Sequence, residues 1–169
     1  MRVGIGFDAH PFADGRVLKL GGLLITHPRG LEGHSDGDAL LHAITDAILG
    51  AAGLGSIGEQ FPDTDPRWKR ADSSVFVERA RELAAERDLV VGNLDAVVIA
   101  ESPRIAPHVS AIRSRIASLL GVAENTVSVR GTSSNGLGFA GRCEGIAALV
   151  VVLLIPGSNP KSQSTHHKS

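Results

Sequence analysis

The sequence predicts an α/β (α+β) chain folded as a single-domain sandwich, a mixed β-sheet covered by helices. Two observations carry this reading. Short apolar runs of strand length alternate along the chain with segments whose apolar residues recur at helical spacing. The run Gly145 to Ile155 is apolar on both faces and reads as a central strand. No internal repeat and no domain boundary interrupts residues 1–156, and 169 residues suffice for one domain with a real core.

The elements follow in order. Val3-Gly4-Ile5-Gly6-Phe7-Asp8-Ala9-His10 reads as the first strand, and Pro11 to Arg16 as a loop. Val17 to Leu20 and Leu23 to Ile25, around Gly21-Gly22, read as a short hairpin, and Thr26 to Gly33 as a connection. The first helix is expected from about Asp36 to Ala52, closed by Gly53 and Gly55. Ser35 is its expected N-cap, with Asp38 three residues on in a capping-box-like pair. Leu40, Ile44 and Ile48 give it an apolar stripe. Asp38, His42 and Asp46, four apart, give a polar stripe roughly opposite.

Gly55 to Pro66, rich in Gly, Pro and Asp, reads as a structured loop rather than a helix. A second helix is expected from about Ser73 to Arg87, with Phe76, Val77, Ala80, Leu83 and Ala84 inward. Leu94 to Ala100 is a largely buried strand. Glu101 to His108 leaves it and turns into a third helix ending near Leu120. Thr126 to Gly131 is a further strand, Thr132 to Phe139 a loop of hydroxyls and glycines, and Gly145 to Ile155 the last strand. The tail, residues 157–169, is polar and is expected to be disordered. Nothing in it orders His166 and His167 into a site.

Composition narrows the function classes. The net charge of −1 gives no general pull toward nucleic acid or an anionic membrane, and the aromatic content of 4% leaves few stacking platforms for single strands. The C-terminal apolar run is too short to span a bilayer. One cysteine, Cys143, excludes an internal disulfide and fits a reducing compartment. It opens an apolar strand and reads as a buried structural thiol. No cationic-then-apolar signal opens the chain, so a cytoplasmic protein is expected.

Two stretches carry chemistry. Strand alternation places Asp8 and His10 on one face. With His42 presented by the helix, they make a three-ligand set suited to zinc. Three protein ligands leave the fourth tetrahedral position open, as catalytic zinc sites require. A polar stripe on a helix is usually a solvated face. Here it consists of carboxylates and a histidine, and His34 stands just before it, where a helix N-terminus favours anions such as phosphate. The hydroxyls and backbone N–H groups of Thr132 to Phe139 suit phosphate oxygens, or equally form a simple turn.

Taken together, the motifs resemble the 2-C-methyl-D-erythritol 2,4-cyclodiphosphate synthase family of non-mevalonate isoprenoid biosynthesis. The matching stretches are Gly6-Phe7-Asp8-Ala9-His10, His34-Ser35-Asp36-Gly37-Asp38 with His42 and Asp46, Phe61 to Pro66, and Leu137 to Arg142 followed by Glu144-Gly145. The resemblance runs from Met1 to about Ile155.

It implies a homotrimer with active sites between subunits. The implied reaction cyclises 4-diphosphocytidyl-2-C-methyl-D-erythritol 2-phosphate with release of CMP, a phosphorus-oxygen lyase chemistry. The implied ligands of one Zn2+ per subunit are Asp8, His10 and His42. His34 and Ser133 fall on the catalytic positions, with Ser35 beside His34. Ile57, Gly58, Phe61, Pro62, Asp63, Thr64 and Asp65 fall where the family holds the methylerythritol portion. Ala100, Arg104, Ile105, Ala106, Gly131 and Thr132, with Ser133, fall on a cytidine pocket supplied by the neighbouring subunit. Asp46 is expected to orient His42. Phe7, Phe139 and Arg142 fall on a cavity along the three-fold axis that can hold an isoprenoid diphosphate.

Three departures stand out. Ser56 replaces the family's usual Asp, Asn135 replaces an acidic ligand of a Mg2+ or Mn2+ ion, and Arg130 stands where Lys is found. A neutral amide oxygen is a poorer ligand for a hard cation, so zinc is expected more firmly than the second metal. Two rival readings share these residues: a metal-dependent phosphohydrolase using water, and a non-catalytic trimeric binding protein.

Overall fold

A computed structural model describes residues 1–157; the tail assignments, with His166 and His167, lie outside the described residues. A five-stranded mixed sheet is built from β1 (Arg2–Ala13), β4 (Gly30–Leu31), β5 (Leu89–Ile99), β6 (Val127–Thr132) and β7 (Gly145–Pro156), in the order β4-β1-β7-β5-β6. β7 is central, antiparallel to both β1 and β5, and β5 runs parallel to β6. A separate hairpin joins β2 (Leu18–Leu20) to β3 (Leu23–Ile25). Gly21 and Gly22 form its two-residue turn, both at positive φ as a type I′ turn requires.

Helices α1 (Ala39–Ala52), α3 (Ser74–Ala85) and α4 (Val109–Leu120) are joined by two single-turn helices, α2 (Ile57–Gln60) and α5 (Gly138–Gly141). α1 lies against β1 and β7. The approach is possible because β1 carries glycine on its inner face. A Cβ on Gly6 would sit 1.9 Å from the Ala43 carbonyl oxygen, and one on Gly4 2.0 Å from that of Ala47. β1 therefore lies directly against the α1 backbone, and the same inward face continues into Asp8 and His10.

Several expectations change. The helices cover one face of the sheet only, and the other face is open. On the other face Val3, Ile5 and Phe7 are 69%, 66% and 57% exposed, beside Leu149 and Val151 of β7. The apolar character of β7 on both faces thus reflects a core on one side and an open apolar surface on the other. Gly55 to Pro66 contains a helical turn, α2. Ser56 caps it, its Oγ accepting weakly from Glu59 N at 3.4 Å. β5 begins at Leu89, five residues before the apolar run, with a bulge between Val91 and Asn93.

α1 starts at Ala39, with Asp38 rather than Ser35 as its N-cap. Asp38 is fully buried, not part of a wet stripe. Its carboxylate accepts from Leu41 N and Gly21 N at 3.0 Å and from Gly22 N at 2.7 Å. One side chain thereby caps the helix and fastens the hairpin turn. Burial pushes its carboxyl above the usual range, against the pull of those N–H groups. α1 is buried almost all round, so its polar residues are interior groups rather than a solvated stripe. Cys143 is only half-buried, in a turn at positive φ before β7, and is not the core thiol expected.

Candidate active site

Asp8 and His10 project from the inner face of β1, and His42 from the second turn of α1. Their donor atoms converge. Asp8 Oδ2 lies 2.8 Å from His10 Nε2 and 3.0 Å from His42 Nδ1, and the two ring nitrogens are 3.0 Å apart. Burial alone would raise the Asp8 carboxyl, but the hydrogen bonds from His10 and His42 outweigh it and hold it well below the usual carboxylate range. Burial lowers His10, and its hydrogen bond to Asp8 more than compensates, leaving it raised.

The trio fits a metal ion. Two imidazole nitrogens and a carboxylate oxygen lie within 4.8 Å of one another, the donor types zinc takes. Two ring nitrogens facing each other across 3.0 Å beside one carboxylate oxygen suit a shared cation better than a shared proton.

The trio opens on a cavity of about 470 Å3. His34, Ser35, Ile57, Gly58, Phe61, Pro62, Asp63 and Thr64 line it with Asp8, His10 and His42. Asp65 is engaged elsewhere. It caps a 3-10 turn at Pro66–Trp68 and pairs with Arg67 at 2.6 Å. Trp68 and Phe76 complete the wall and were not foreseen as site residues. Phe61, Trp68 and Phe76 form an aromatic cluster with ring centroids 4.9 to 5.7 Å apart. Phe76 was legible only as a core position of α3, and Trp68 carried no periodic signal.

The turn bearing His34 is clamped from outside. Arg16 donates to the carbonyls of Gly33 and Ser35, at 2.9 and 2.7 Å, and Arg70 N donates to that of His34 at 2.9 Å. All three carbonyls around His34 are thus engaged, leaving its ring on the cavity wall.

The second predicted set forms a different hollow. Ala100, Arg104, Ile105, Ala106, Gly131, Thr132 and Ser133 line a cavity of about 400 Å3 together with Glu101. It shares no lining residue with the first. Glu101 shapes the hydroxyl loop: its carboxylate accepts from Ser134 N at 3.0 Å and Gly136 N at 3.1 Å, which lowers its pKa. Asn135 sits in the left-handed region at φ 53°, which Asn tolerates better than most residues. Phe139 borders a third hollow of about 240 Å3 with His10 and Glu144. Arg142 forks onto Glu144 at 2.7 and 3.0 Å.

Asp46 does not orient His42. Its carboxylate accepts from Ile57 N at 2.6 Å and fastens the start of α2. The groups behind His42 are Ser35 Oγ and Ser73 Oγ, each 2.9 Å from Nε2.

Fold and site together define an α+β protein with a candidate metal centre at the mouth of a cavity. The YgbB family model matches residues 1–155, and the chain belongs to that family. A 2-C-methyl-D-erythritol 2,4-cyclodiphosphate synthase from Xylella fastidiosa is 56% identical over 154 residues, 91% of this chain and 88% of that one. Among solved structures, a synthase described under the same name in a CDP-bound form is 40% identical. It superposes with a TM-score of 0.85 over 91% of this chain and all of the other. The bifunctional IspDF of Campylobacter jejuni is 44% identical with a TM-score of 0.87; this chain covers 42% of that longer one.

Proposed function

We propose that this chain is a zinc-dependent 2-C-methyl-D-erythritol 2,4-cyclodiphosphate synthase. The observation that carries the reading is the convergence of Asp8, His10 and His42 at a cavity also lined by His34 and the Ile57–Thr64 segment, in a chain more than half identical to a synthase of that name. The substrate is 4-diphosphocytidyl-2-C-methyl-D-erythritol 2-phosphate. An oxygen of its 2-phosphate bonds to the β-phosphorus. The bond from that phosphorus to the bridging oxygen breaks, and the electron pair leaves with CMP. Nucleophile and electrophile share one molecule, so the work left to the protein is positioning and charge neutralisation.

Asp8, His10 and His42 would hold the zinc, which would supply positive charge to offset the charge developing on the β-phosphate. His34, held by its clamped turn, faces the same phosphate with Ser35 beside it. Ile57, Gly58, Phe61, Pro62, Asp63 and Thr64 enclose the methylerythritol portion. The second cavity takes the cytidine of a substrate bound to a neighbouring subunit, with Ser133 at the phosphates. Its separation from the first cavity within one chain is what a shared site in a trimer requires. The exposed Val3, Ile5, Phe7, Leu149 and Val151 supply an apolar face for such an assembly. The hollow beside Phe139 and Arg142 then lies toward the axis and suits an isoprenoid diphosphate. Mg2+ or Mn2+ binds weakly because Asn135 offers a neutral oxygen. The reaction is cytoplasmic, in keeping with the one unpaired cysteine; no helix among the described residues is long and apolar enough to cross a membrane.

Incubation with this substrate, zinc and magnesium, followed by phosphorus NMR, tests the reading. A cyclic diphosphate appearing with CMP is expected. Inorganic phosphate without a ring would make the protein a phosphohydrolase, and unchanged substrate in the presence of a zinc-loaded trimer would make it a binding protein.

A further inference from the structure

We propose that Ser73 and Asp36 are positioning residues for the metal centre, a carboxylate–hydroxyl relay that fixes the tautomer and direction of His42. The inference rests on the metal-site reading above and extends it to residues outside the ligand set. His42 meets Asp8 and His10 through Nδ1, so ligation needs the lone pair there and the ring proton on Nε2. A histidine ligand ordinarily donates its other N–H to an oxygen that orients the ring. Nε2 faces two hydroxyls, Ser73 Oγ and Ser35 Oγ, both 2.9 Å away.

The proton positions follow from what surrounds each oxygen. A carboxylate only accepts, and Ser73 Oγ is hydrogen-bonded to Asp36 Oδ1, so the Ser73 proton points to the carboxylate. Ser73 Oγ is left to accept. Ser35 Oγ, 3.2 Å from Ser73 Oγ, accepts from Gly37 N at 3.4 Å and donates to Ser73. His42 Nε2–H then donates to Ser73, and no donor faces a donor. Asp36 is itself anchored, by Ser73 N at 3.1 Å, Lys19 Nζ at 3.2 Å and Asp38 N at 3.3 Å. Ser73 is fully buried, and water does not compete for this chain of bonds.

In the opposite tautomer His42 Nε2 would have to accept, either from Ser73, turning its proton away from Asp36, or from Ser35, leaving the Ser35 and Ser73 oxygens facing each other with no proton between them. The relay therefore favours the tautomer that leaves the Nδ1 lone pair to a metal; without one, Asp8 Oδ2, 3.0 Å from Nδ1, pulls the proton the other way.

The test is a zinc competition titration of the full chain against a chromophoric chelator, with cobalt(II) visible spectra recorded in parallel. Ser73→Ala should weaken zinc binding about tenfold and shift the cobalt band, while circular dichroism stays unchanged. Asp36→Asn should weaken binding in the wild-type background but add little in Ser73→Ala, the coupling expected of two members of one relay. Wild-type zinc affinity retained by folded Ser73→Ala, or strictly additive losses, would overturn the relay. Absence of zinc binding by the wild type would instead overturn the metal-site reading, and the relay with it. Ring 15N and 1H spectra of the zinc-loaded wild type give a measurement independent of any variant. A slowly exchanging proton on His42 Nε2 is expected, and ligation through Nε2, or an Nε2 proton in fast exchange with water, would overturn the proposal even where Ser73→Ala fails to fold.

Discussion

The two cavities of one chain are built in opposite ways. Around Asp8, His10 and His42 the support is interior: Ser35, Asp38 and Ser73 are buried, and their polar atoms are taken up by hydrogen bonds. Around Thr132, Ser133 and Asn135 the residues are exposed, and the loop is shaped mainly by the half-buried Glu101, whose carboxylate accepts from it. The first region is set by its own core. The second presents groups on a scaffold and leaves one side open. A site that needs both gains order from the first and dependence on a neighbour from the second.

The largest test of that difference removes a ligand. His42→Ala should abolish measurable zinc binding and lower turnover by more than the roughly 100-fold upper range of outer-partner losses. Ser133→Ala should lower turnover with zinc affinity intact, as titration and steady-state kinetics together would show. The next test breaks the dependence on a neighbour. Ile5→Glu places a charge on the open sheet face and should convert the proposed trimer to monomers, read by light scattering. Turnover should fall on the order of 100-fold while each monomer still binds zinc. Retained turnover in a monomer would show that one chain holds the complete site.

A smaller effect sharpens the loop side. Asn135→Asp keeps a residue tolerant of the left-handed region and restores a carboxylate, so magnesium should bind several-fold more tightly. An unchanged magnesium dependence of turnover would remove position 135 from the metal chemistry. The smallest effect lies in the anchor behind Asp36. Burial raises Asp72, yet hydrogen bonds from Lys19 and Ser74 bring its carboxyl down to about 2. Its contribution to stability is therefore complete above the ordinary carboxylate pKa and is lost as pH falls from about 4 toward 2. Lys19→Met should flatten that part of the stability–pH curve by no more than an exposed ion pair contributes, under about 1 kcal/mol, read by urea unfolding at each pH.

What could be read from the sequence follows physical range. Asp8 and His10 lie two apart on a strand, and alternation alone puts them together. The hairpin was legible because Gly21-Gly22 sits between Leu18-Lys19-Leu20 and Leu23-Leu24-Ile25, two short leucine-rich runs. Helical spacing also placed His42 correctly but misassigned its neighbours. Asp46, one turn further along α1, shares the stripe and yet reaches Ile57 N. Ser35 looked like a cap because a hydroxyl preceding a helix usually is one. Asp38 took that role because a carboxylate there can also hold the hairpin turn. Ser73 was invisible as a partner of His42. It stands 31 residues away, and its local signal is that of any hydroxyl before a helix. The open sheet face was missed for a related reason: an apolar strand residue has the same letter whether it meets a core or awaits a partner.

The aromatic cluster on the wall of the metal-side cavity has a consequence for observation. The chain has one tryptophan and no tyrosine, and that tryptophan, Trp68, packs against Phe61 and Phe76 on the cavity wall. Excited at about 295 nm, the whole protein therefore emits from a single indole ring, at the wall of the proposed substrate cavity. Filling of the cavity can be followed in real time without a label, and a stopped-flow trace carries no background from elsewhere in the fold.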